Sequence, residues 1–136
     1  ADSEASAIRA ISLEEEPQVF TLVGQGLFDF GDVDGSGATV RLQHPTGLTS
    51  EKGLLYIADS YNHKIKTLNP RNGTVKSIIG TGTAGTDDGN FLACELYEPE
   101  GLVFGEGKLY IADTNNHLIR VADFATKQVT TLKVTG

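Results

Sequence analysis

The chain has 136 residues, including 16 glycines, no tryptophan or methionine, and one cysteine, Cys94, which cannot form an internal disulfide. Its formal net charge is −7 and its pI is near 4.8. Because nucleic-acid binding draws its affinity from clustered Lys and Arg, this charge argues against nucleic acid as a partner. The longest apolar runs are a few residues, so membrane insertion is not expected.

The first 23 residues correspond to the second half of a unit that occurs in full further along the chain. The Ala, Leu and Glu residues between Glu4 and Glu16 favour a helix, but alignment with the later copy places this segment on a strand. We therefore predict a partial unit at 1–23, with two strands called c and d. The matches are Ala1-Asp2-Ser3 with Ala58-Asp59-Ser60, and Ile8-Arg9 with Ile65-Lys66.

The rest of the chain contains two copies of one sequence, 54 residues apart. Between 45–66 and 99–120, 12 of 22 positions are identical without a gap. Repeats of this period indicate stacked modules. We predict one full unit at 24–79 and another at 80–136. Each begins with a long linking segment, 24–44 or 80–98, and continues with four strands, a to d.

The predicted strands are short runs, rich in β-branched residues, that end at turns. Ile65 and Thr67 alternate with Lys64 and Lys66, as expected for a strand with two different faces. No helix longer than a single turn is expected. Four antiparallel strands per unit describe a β-propeller blade. The predicted bounds of strands a to d are 47–49, 54–58, 64–68 and 74–79 in the second unit, and 101–104, 108–112, 118–122 and 128–134 in the third.

Both full units share the motif Pro-x-Gly-Leu, followed by Leu-Tyr-Ile-Ala-Asp-[Ser/Thr]-x-Asn-His-x-Ile-[Lys/Arg]. This motif resembles the NHL repeat. With Phe30-Gly-Asp-Val-Asp-Gly35, it resembles more narrowly the NHL repeat-containing protein 2 and SUPPRESSOR OF QUENCHING family. The resemblance implies an all-β, NHL-type β-propeller segment, whose parent protein has six blades and a preceding thioredoxin-like domain. Plant members add a haloacid-dehalogenase-like domain, and neither catalytic domain is present in this sequence.

The resemblance also bears on compartment and partners. It implies the chloroplast thylakoid lumen for a plant-like protein and the cytosol for an animal-like one. The chain holds about two and a half blades, whereas propellers close with about 4 to 8. An open blade flank and an open strand edge favour association. The expected partner is therefore the remaining blades, another copy of the chain in a homo-oligomer, or a different protein.

Several motif residues are predicted to be structural. Gly47 and Gly101 are expected to allow close strand packing near the propeller axis. The motif Asp and Asn residues lie at the turn between strands b and c, where short polar side chains bond to backbone amides. The motif histidines occupy the same place in successive blades, so they are not expected to converge on a metal. The b-to-c residues are Asp59, Asn62, His63, Asp113, Asn116 and His117.

The candidate binding face is formed by the linking segments and the b-to-c turns, which the alternating strand direction places on one side. Binding usually resides on loops of a rigid scaffold. The linking segments are rich in Asp and Glu, so we expect an acidic face that meets a protein partner or a cation. The alternative to a binding role is that these acidic loops form a solvated rim that keeps the protein soluble. The candidates are Asp32, Asp34, His44, Tyr61, Asp87, Asp88, Glu98 and Asn115.

No catalytic residue, metal site or cofactor is predicted, and calcium is the cofactor left open. Asp32, Asp34 and Ser36 follow the first half of an EF-hand loop, but Gln43 stands where that loop needs a bidentate Glu. The predicted function is a non-enzymatic scaffold for protein–protein interaction, within a larger redox-associated protein. The alternative is a metal-dependent hydrolase or lyase that uses His44 at the mouth of the propeller channel. A catalytic zinc usually takes three protein ligands, and this chain offers one such histidine there.

Overall fold

The computed structural model describes residues 1–16, 18–24 and 29–133. Within these residues the chain forms three antiparallel sheets, joined by turns. The predicted all-β fold, with no helix beyond single turns, is confirmed. In the described segments, none of the helical turns has the length and apolarity needed to cross a membrane. The 3-10 turns are Gly37–Thr39, Ser60–Asn62 and Thr114–Asn116.

The first sheet is a pair of strands within the predicted partial unit. It consists of β1 (Ile8–Ile11) and β2 (Val19–Val23), which correspond to strands c and d. β1 lies in the middle of the segment whose composition favours a helix. Ile8 pairs with Val23 and is completely buried against the next blade. Tertiary burial therefore overrides helix propensity here.

The second and third sheets have five strands each, in the same order. Four consecutive strands in each form strands a to d of a blade, and a two-residue piece of the linking segment pairs with the outer edge of strand d. The second sheet contains β3 (Gly35–Ser36), β4 (Pro45–Glu51), β5 (Leu54–Asp59), β6 (Lys64–Asn69) and β7 (Thr74–Ile79). The third contains β8 (Gly89–Asn90), β9 (Pro99–Gly105), β10 (Lys108–Asp113), β11 (Leu118–Asp123) and β12 (Gln128–Thr131).

The observed strands differ from the predicted ones at several points, and β5, β6, β10 and β11 each end one residue later than predicted. β4 and β9 are longer than predicted and begin at their prolines. Proline is tolerated as the first residue of a strand, where its missing N–H costs no ladder hydrogen bond. Two further strands, β3 and β8, were not predicted; each lies in a linking segment and pairs with a strand d that is far away in sequence. β12 ends before the predicted 134. That position, like 17, 25–28 and 135–136 of the predicted units, lies outside the described residues.

The core lies between successive blades and not within any one of them. One buried cluster joins the first strand pair to the second sheet, and another joins the second sheet to the third. One side of the second sheet contributes Ile57 and Leu68 to the first cluster, while its other side contributes Ala58 and Ile65 to the second cluster. A blade of this kind therefore depends on its neighbours to cover both faces.

Gly47 lies where the innermost strands of two blades approach each other. A Cβ added there would lie 1.6 Å from the carbonyl oxygen of Glu100, far inside van der Waals contact. At the equivalent Gly101, the nearest atom would be the Cβ of Ala112 at 3.5 Å, an ordinary contact. The expected role of glycine in close strand packing is thus confirmed at Gly47, where a neighbouring blade is present.

We predict that Gly47→Ala destabilises the chain, because the added methyl group forces the two innermost strands apart. Overpacking of this kind costs about 1–3 kcal/mol of unfolding free energy. The matched control, Gly101→Ala, should change the stability by less than about 0.5 kcal/mol. Urea denaturation followed by circular dichroism measures both variants, and equal losses for the two would contradict the packing argument.

Candidate functional site at the loop ends of the blades

A buried ion pair fixes the linking segment to the b-to-c turn of the second blade. The carboxylate of Asp59, at the end of β5, is completely buried. Its Oδ1 accepts a hydrogen bond from the backbone N–H of Gln43 at 2.8 Å, and its Oδ2 accepts one from Asn62 Nδ2 at 2.7 Å. Lys66 Nζ lies 2.8 Å from Asp59 Oδ2 and 2.8 Å from Asp32 Oδ1. These contacts hold the middle and the C-terminal end of the linking segment against the blade.

The position of Lys66 corrects the interpretation of the strand pattern. Alternation with Ile65 suggests an outward-facing side chain, yet the Lys66 side chain is completely buried. Both faces of the second sheet are covered, so a strand position opposite a core residue is not necessarily exposed. The amine is instead enclosed by the linking segment, where the backbone oxygen of Arg41 also lies 3.5 Å away.

Burial and charge act in opposite directions on these groups. Burial raises the pKa of Asp59, and the nearby Lys66 offsets only part of this effect. Burial by itself would lower the pKa of Lys66, but the charges and hydrogen bonds of Asp59 and Asp32 outweigh it and raise that pKa. Burial would also raise the pKa of Asp32, but Lys64 and Lys66 outweigh it and lower that pKa. Lys66 is therefore held in its charged form.

The third blade repeats this arrangement with arginine in place of lysine. Asp113 Oδ1 accepts a hydrogen bond from the backbone N–H of Tyr97 at 2.7 Å, and Oδ2 accepts one from Asn116 Nδ2 at 2.8 Å. Arg120 Nη1 lies 2.9 Å from Asp113 Oδ2, and Arg120 Nη2 lies 2.7 Å from Asp88 Oδ1. We call each set, Asp59-Asn62-Lys66 and Asp113-Asn116-Arg120, a hub.

The acidic candidates of the linking segments are largely engaged in contacts of this kind. Asp32 bonds to two lysines, Asp34 accepts hydrogen bonds from the backbone and hydroxyl of Ser77, and Asp88 binds Arg120. Asp34 Oδ1 also lies 4.0 Å from Lys66 Nζ, so the two aspartates of the EF-hand-like pattern both contact side chains of the blade. Asp87 is exposed, and its backbone oxygen accepts a hydrogen bond from Arg120.

The other four candidates meet in pairs nearer the innermost strands. The rings of His44 and Tyr61 stack with centroids 4.4 Å apart and an interplanar angle of 18°. In the next blade the equivalent Glu98 accepts a hydrogen bond from Asn115. The rings of His63 and Tyr97 are nearly perpendicular, with centroids 5.4 Å apart. We call this surface the inner rim, and it consists of His44, Tyr61, His63, Tyr97, Glu98 and Asn115.

Sequence reasoning did not select Tyr97, whose side chain is 40% exposed. The long segment before Glu98 contains no regular alternation that would reveal which side chains face outward. Its neighbour Leu96 is completely buried in the core between blades. One signal in the sequence could have identified Tyr97: it is adjacent to Glu98, the candidate residue that precedes the Pro99 of the motif.

The described part of the chain was searched for groups that could bind a metal or carry out redox chemistry. Across residues 1–16, 18–24 and 29–133, no group of three or more His, Cys, Asp or Glu side chains is arranged to hold a metal ion. The Cys94 thiol is buried and donates to the carbonyl oxygen of Phe91 at 3.4 Å. Burial raises the pKa of this thiol, which disfavours the reactive thiolate.

Stacked antiparallel blades with their innermost strands in contact define a segment of a β-propeller. Two stretches, 42–68 and 96–125, match the family model of the NHL repeat. The chain therefore carries NHL repeats and belongs to the NHL-repeat β-propeller proteins, as its motif predicts.

Known proteins similar to this chain are considerably longer. NHL repeat-containing protein 2 of Homo sapiens is 45% identical over 143 residues, which cover 98% of this chain and 20% of that protein. Protein SUPPRESSOR OF QUENCHING 1, chloroplastic, of Arabidopsis thaliana is 45% identical over 146 residues, which cover all of this chain and 14% of that protein. An auxiliary nutrient binding protein of Bacteroides ovatus shares the fold, with a TM-score of 0.79 and 20% identity over 96% of this chain and 34% of that one.

The buried hub of the second blade predicts a large effect of Asp59→Ala. Removing this carboxylate takes away the completely buried one of the two aspartates that lie 2.8 Å from Lys66 Nζ, and breaking a buried pair in this way costs about 3–5 kcal/mol of unfolding free energy. The matched control is Asp29→Ala, which removes an exposed carboxylate from the same linking segment. This control should lower the unfolding free energy by less than about 0.5 kcal/mol. Chemical denaturation of both variants decides the matter, because similar stabilities for the two would refute the role of the hub.

The lowered pKa of Asp32 predicts a pH dependence. Since the folded-state pKa lies below the unfolded value of 3.8, the stabilising contribution of Asp32 is complete above pH 3.8 and is lost as the pH falls through the folded pKa. The side chain is about a third exposed, so Asp32→Asn should cost about 1 kcal/mol at pH 7. The difference in Tm between the unaltered chain and Asp32→Asn should shrink at the acid end of a titration from pH 7 to pH 2. A difference that stays constant over this range would contradict the lowered pKa of Asp32.

Proposed function

We propose that this NHL-repeat segment is a non-catalytic interaction module that binds a protein partner through its inner rim. One observation carries the proposal: Tyr61 and Tyr97 are 47% and 40% exposed, although their rings contact His44 and His63. Tyrosine is enriched among the residues that dominate binding energy at protein interfaces. A held ring loses little conformational freedom on binding, which favours affinity.

The backbone beneath the rim supports the same proposal. His44 and Glu98 both have left-handed backbone conformations, with φ of 52° and 50°. The residues before them, Gln43 and Tyr97, donate their backbone N–H groups to the hub carboxylates. The rim side chains are thus carried on loops whose shape is set by buried contacts, and loops of this kind are suited to recognition.

The rim can be tested with the double variant Tyr61→Ala/Tyr97→Ala. Loss of two interfacial tyrosines should weaken partner binding at least about tenfold, since a single central tyrosine can contribute about 2 kcal/mol or more. Full-length chain immobilised as bait, with captured proteins quantified by mass spectrometry and then measured singly by calorimetry, provides the comparison.

The matched control is Phe20→Ala, which removes a 51% exposed aromatic ring from β2, away from the rim. A partner retained by the control and lost by the double variant supports the rim. A partner bound equally by all three proteins, or lost from both variants, would overturn the proposal. Denaturation midpoints of the variants must match that of the unaltered chain.

The wider roles remain expectations for the parent protein. The name of the Arabidopsis relative, of which this chain spans 14%, supports a chloroplast location. Association with thioredoxin-like chemistry and the alternative cytosolic location are implied by the family resemblance of the motif alone. The metal-dependent alternative, including calcium, is tested by adding zinc or calcium to the full chain and measuring Tm. A bound ion must raise Tm in proportion to its affinity for the native state.

A further inference from the structure

A cavity lies between the second and third blades, at the end of the blades opposite the inner rim. The inner rim lies by the turn that follows β5, whereas this cavity is lined by Leu54, the first residue of β5, and by the c-to-d turn of the third blade. Its volume is about 660 Å³, within the range of about 300–1,000 Å³ that small-molecule sites occupy. The cavity therefore has the dimensions of a ligand site separate from the inner rim.

Aromatic rings form much of the lining. Phe91 and Phe124 meet nearly at right angles with ring centroids 5.1 Å apart, and Tyr56 meets Phe124 in the same way at 5.9 Å. Aromatic rings attract one another in edge-to-face and offset-stacked arrangements, so this lining favours a further ring. We call this cavity the aromatic cleft, and its defining residues are Leu54, Tyr56, Lys76, Phe91, Phe124 and Lys127.

The rings of the aromatic cleft are not required by the repeat. Two of them stand where the preceding repeat has no ring, namely Phe91 against Gly37 and Phe124 against Pro70. The backbone is nevertheless the same in both repeats. The N–H of Phe91 donates to the carbonyl oxygen of Lys127 at 3.0 Å, and the N–H of Gly37 donates likewise to that of Gly73 at 3.1 Å. The aromatic lining is therefore a property of this one junction and not of the fold.

Lys127 places a positive charge over these rings. Its Nζ lies 5.6 Å from the ring centroid of Phe91 and 5.2 Å from that of Phe124. Its backbone is left-handed, with a φ of 59°, and the equivalent Gly73 has a φ of 69°. Glycine adopts such a conformation more readily than any other residue. A lysine thus occupies a position that the backbone itself would give to glycine.

The charges around the aromatic cleft are of one sign. Lys76, on β7, is its second cation. Across the described residues, no Asp or Glu side chain lines the cleft, and no carboxylate lies within 4.0 Å of the ammonium group of Lys76 or Lys127. Burial and the charge of Glu51 raise the pKa of Tyr56, so its phenol stays neutral. In a chain of net charge −7, the cleft is a local site that attracts an anion.

We propose that the aromatic cleft binds a small aromatic carboxylate. The ring system of the ligand packs against Tyr56 and Phe124, and its carboxylate lies by the ammonium groups of Lys76 and Lys127. An aromatic body fits better than an alkyl chain, because the lining is made of rings and a rigid ligand loses little conformational freedom on binding. This site does not depend on the protein interaction proposed for the inner rim.

Titration of the full chain with 2-naphthoate tests the proposal. The chain has no tryptophan, so the fluorescence of the naphthoate can be followed directly and compared with calorimetry. The expected Kd is about 1 mM or tighter, as for other ligands of this size. Two comparison ligands separate ring from charge: 2-naphthalenemethanol keeps the ring without the charge, and decanoate keeps the charge without the ring. Absence of naphthoate binding, or equal or tighter binding of either comparison ligand, would overturn the proposal.

The charge at Lys127 can be removed without straining the backbone. Lys127→Gly should weaken naphthoate binding at least about threefold, as loss of an exposed ion pair would, and glycine adopts the existing φ freely. The matched control is Lys52→Gly, which removes another exposed, left-handed lysine that does not line the aromatic cleft. This control should change the Kd less than about twofold. An equal effect of both variants would place the ligand elsewhere and overturn the proposal.

A charge can also be added at the edge of the aromatic cleft. Leu92 lines the cleft and is 66% exposed, so Leu92→Glu should leave the fold intact and weaken naphthoate binding at least about threefold by repulsion. Leu13→Glu, at a fully exposed leucine away from the cleft, is the matched control. Nuclear Overhauser contacts between the naphthoate and the Phe124 ring should locate the ligand. Contacts confined to residues of the inner rim would contradict the assignment.

Discussion

Each complete blade depends on one buried ion pair between an Asp at the end of strand b and a cation on strand c. The desolvation of two buried charges is costly, so such a pair is tolerated where its remaining hydrogen-bonding capacity is filled. Here the oxygens of the Asp59 carboxylate accept hydrogen bonds from the backbone N–H of Gln43, the amide of Asn62 and the ammonium group of Lys66. These three bonds reach the linking segment, the turn and the neighbouring strand at once. The pair therefore organises the loop end of the blade.

The same carboxylates control what the loop end presents to solvent. The N–H groups that they bind belong to Gln43 and Tyr97, and the next residues, His44 and Glu98, belong to the inner rim. The N–H groups of these next residues donate to side chains of the preceding blade, namely Ser6 Oγ and His63 Nδ1. The residue that donates to the hub carboxylate and the rim residue that bonds to the preceding blade are therefore adjacent in the chain. A change in the buried pair is therefore transmitted to both the binding surface and the blade junction.

Lysine and arginine serve the two hubs by different geometry. Lys66 concentrates its charge at one atom, which lies between Asp59 and Asp32. Arg120 spreads its charge over a planar fork and reaches Asp113 with one nitrogen and Asp88 with the other. A compact ammonium and a planar guanidinium are not interchangeable in such sites. The linking segments of the two blades are accordingly held at different acidic residues.

Much of the architecture could be predicted because it depends on local pattern and on repetition. The 54-residue period identified the units, and the turn signals located the strands to within a few residues. The motif Asp and Asn were correctly placed at the b-to-c turn, where they bond to each other. The burial of Lys66 was missed because alternation reports which side of a strand a residue occupies, but not whether another element covers that side.

The sequence by itself determined that the chain is all-β and that it carries NHL repeats, because these follow from periodicity and short motifs. The tertiary structure alone decided which acidic residues bind the buried cations, how His44 and Tyr61 come to stack, and how Ser60 and His63 bond to the backbone of the next blade. These features join residues that are far apart in the chain. Their partners are selected by the packing of one blade on another, which no local pattern of residues records.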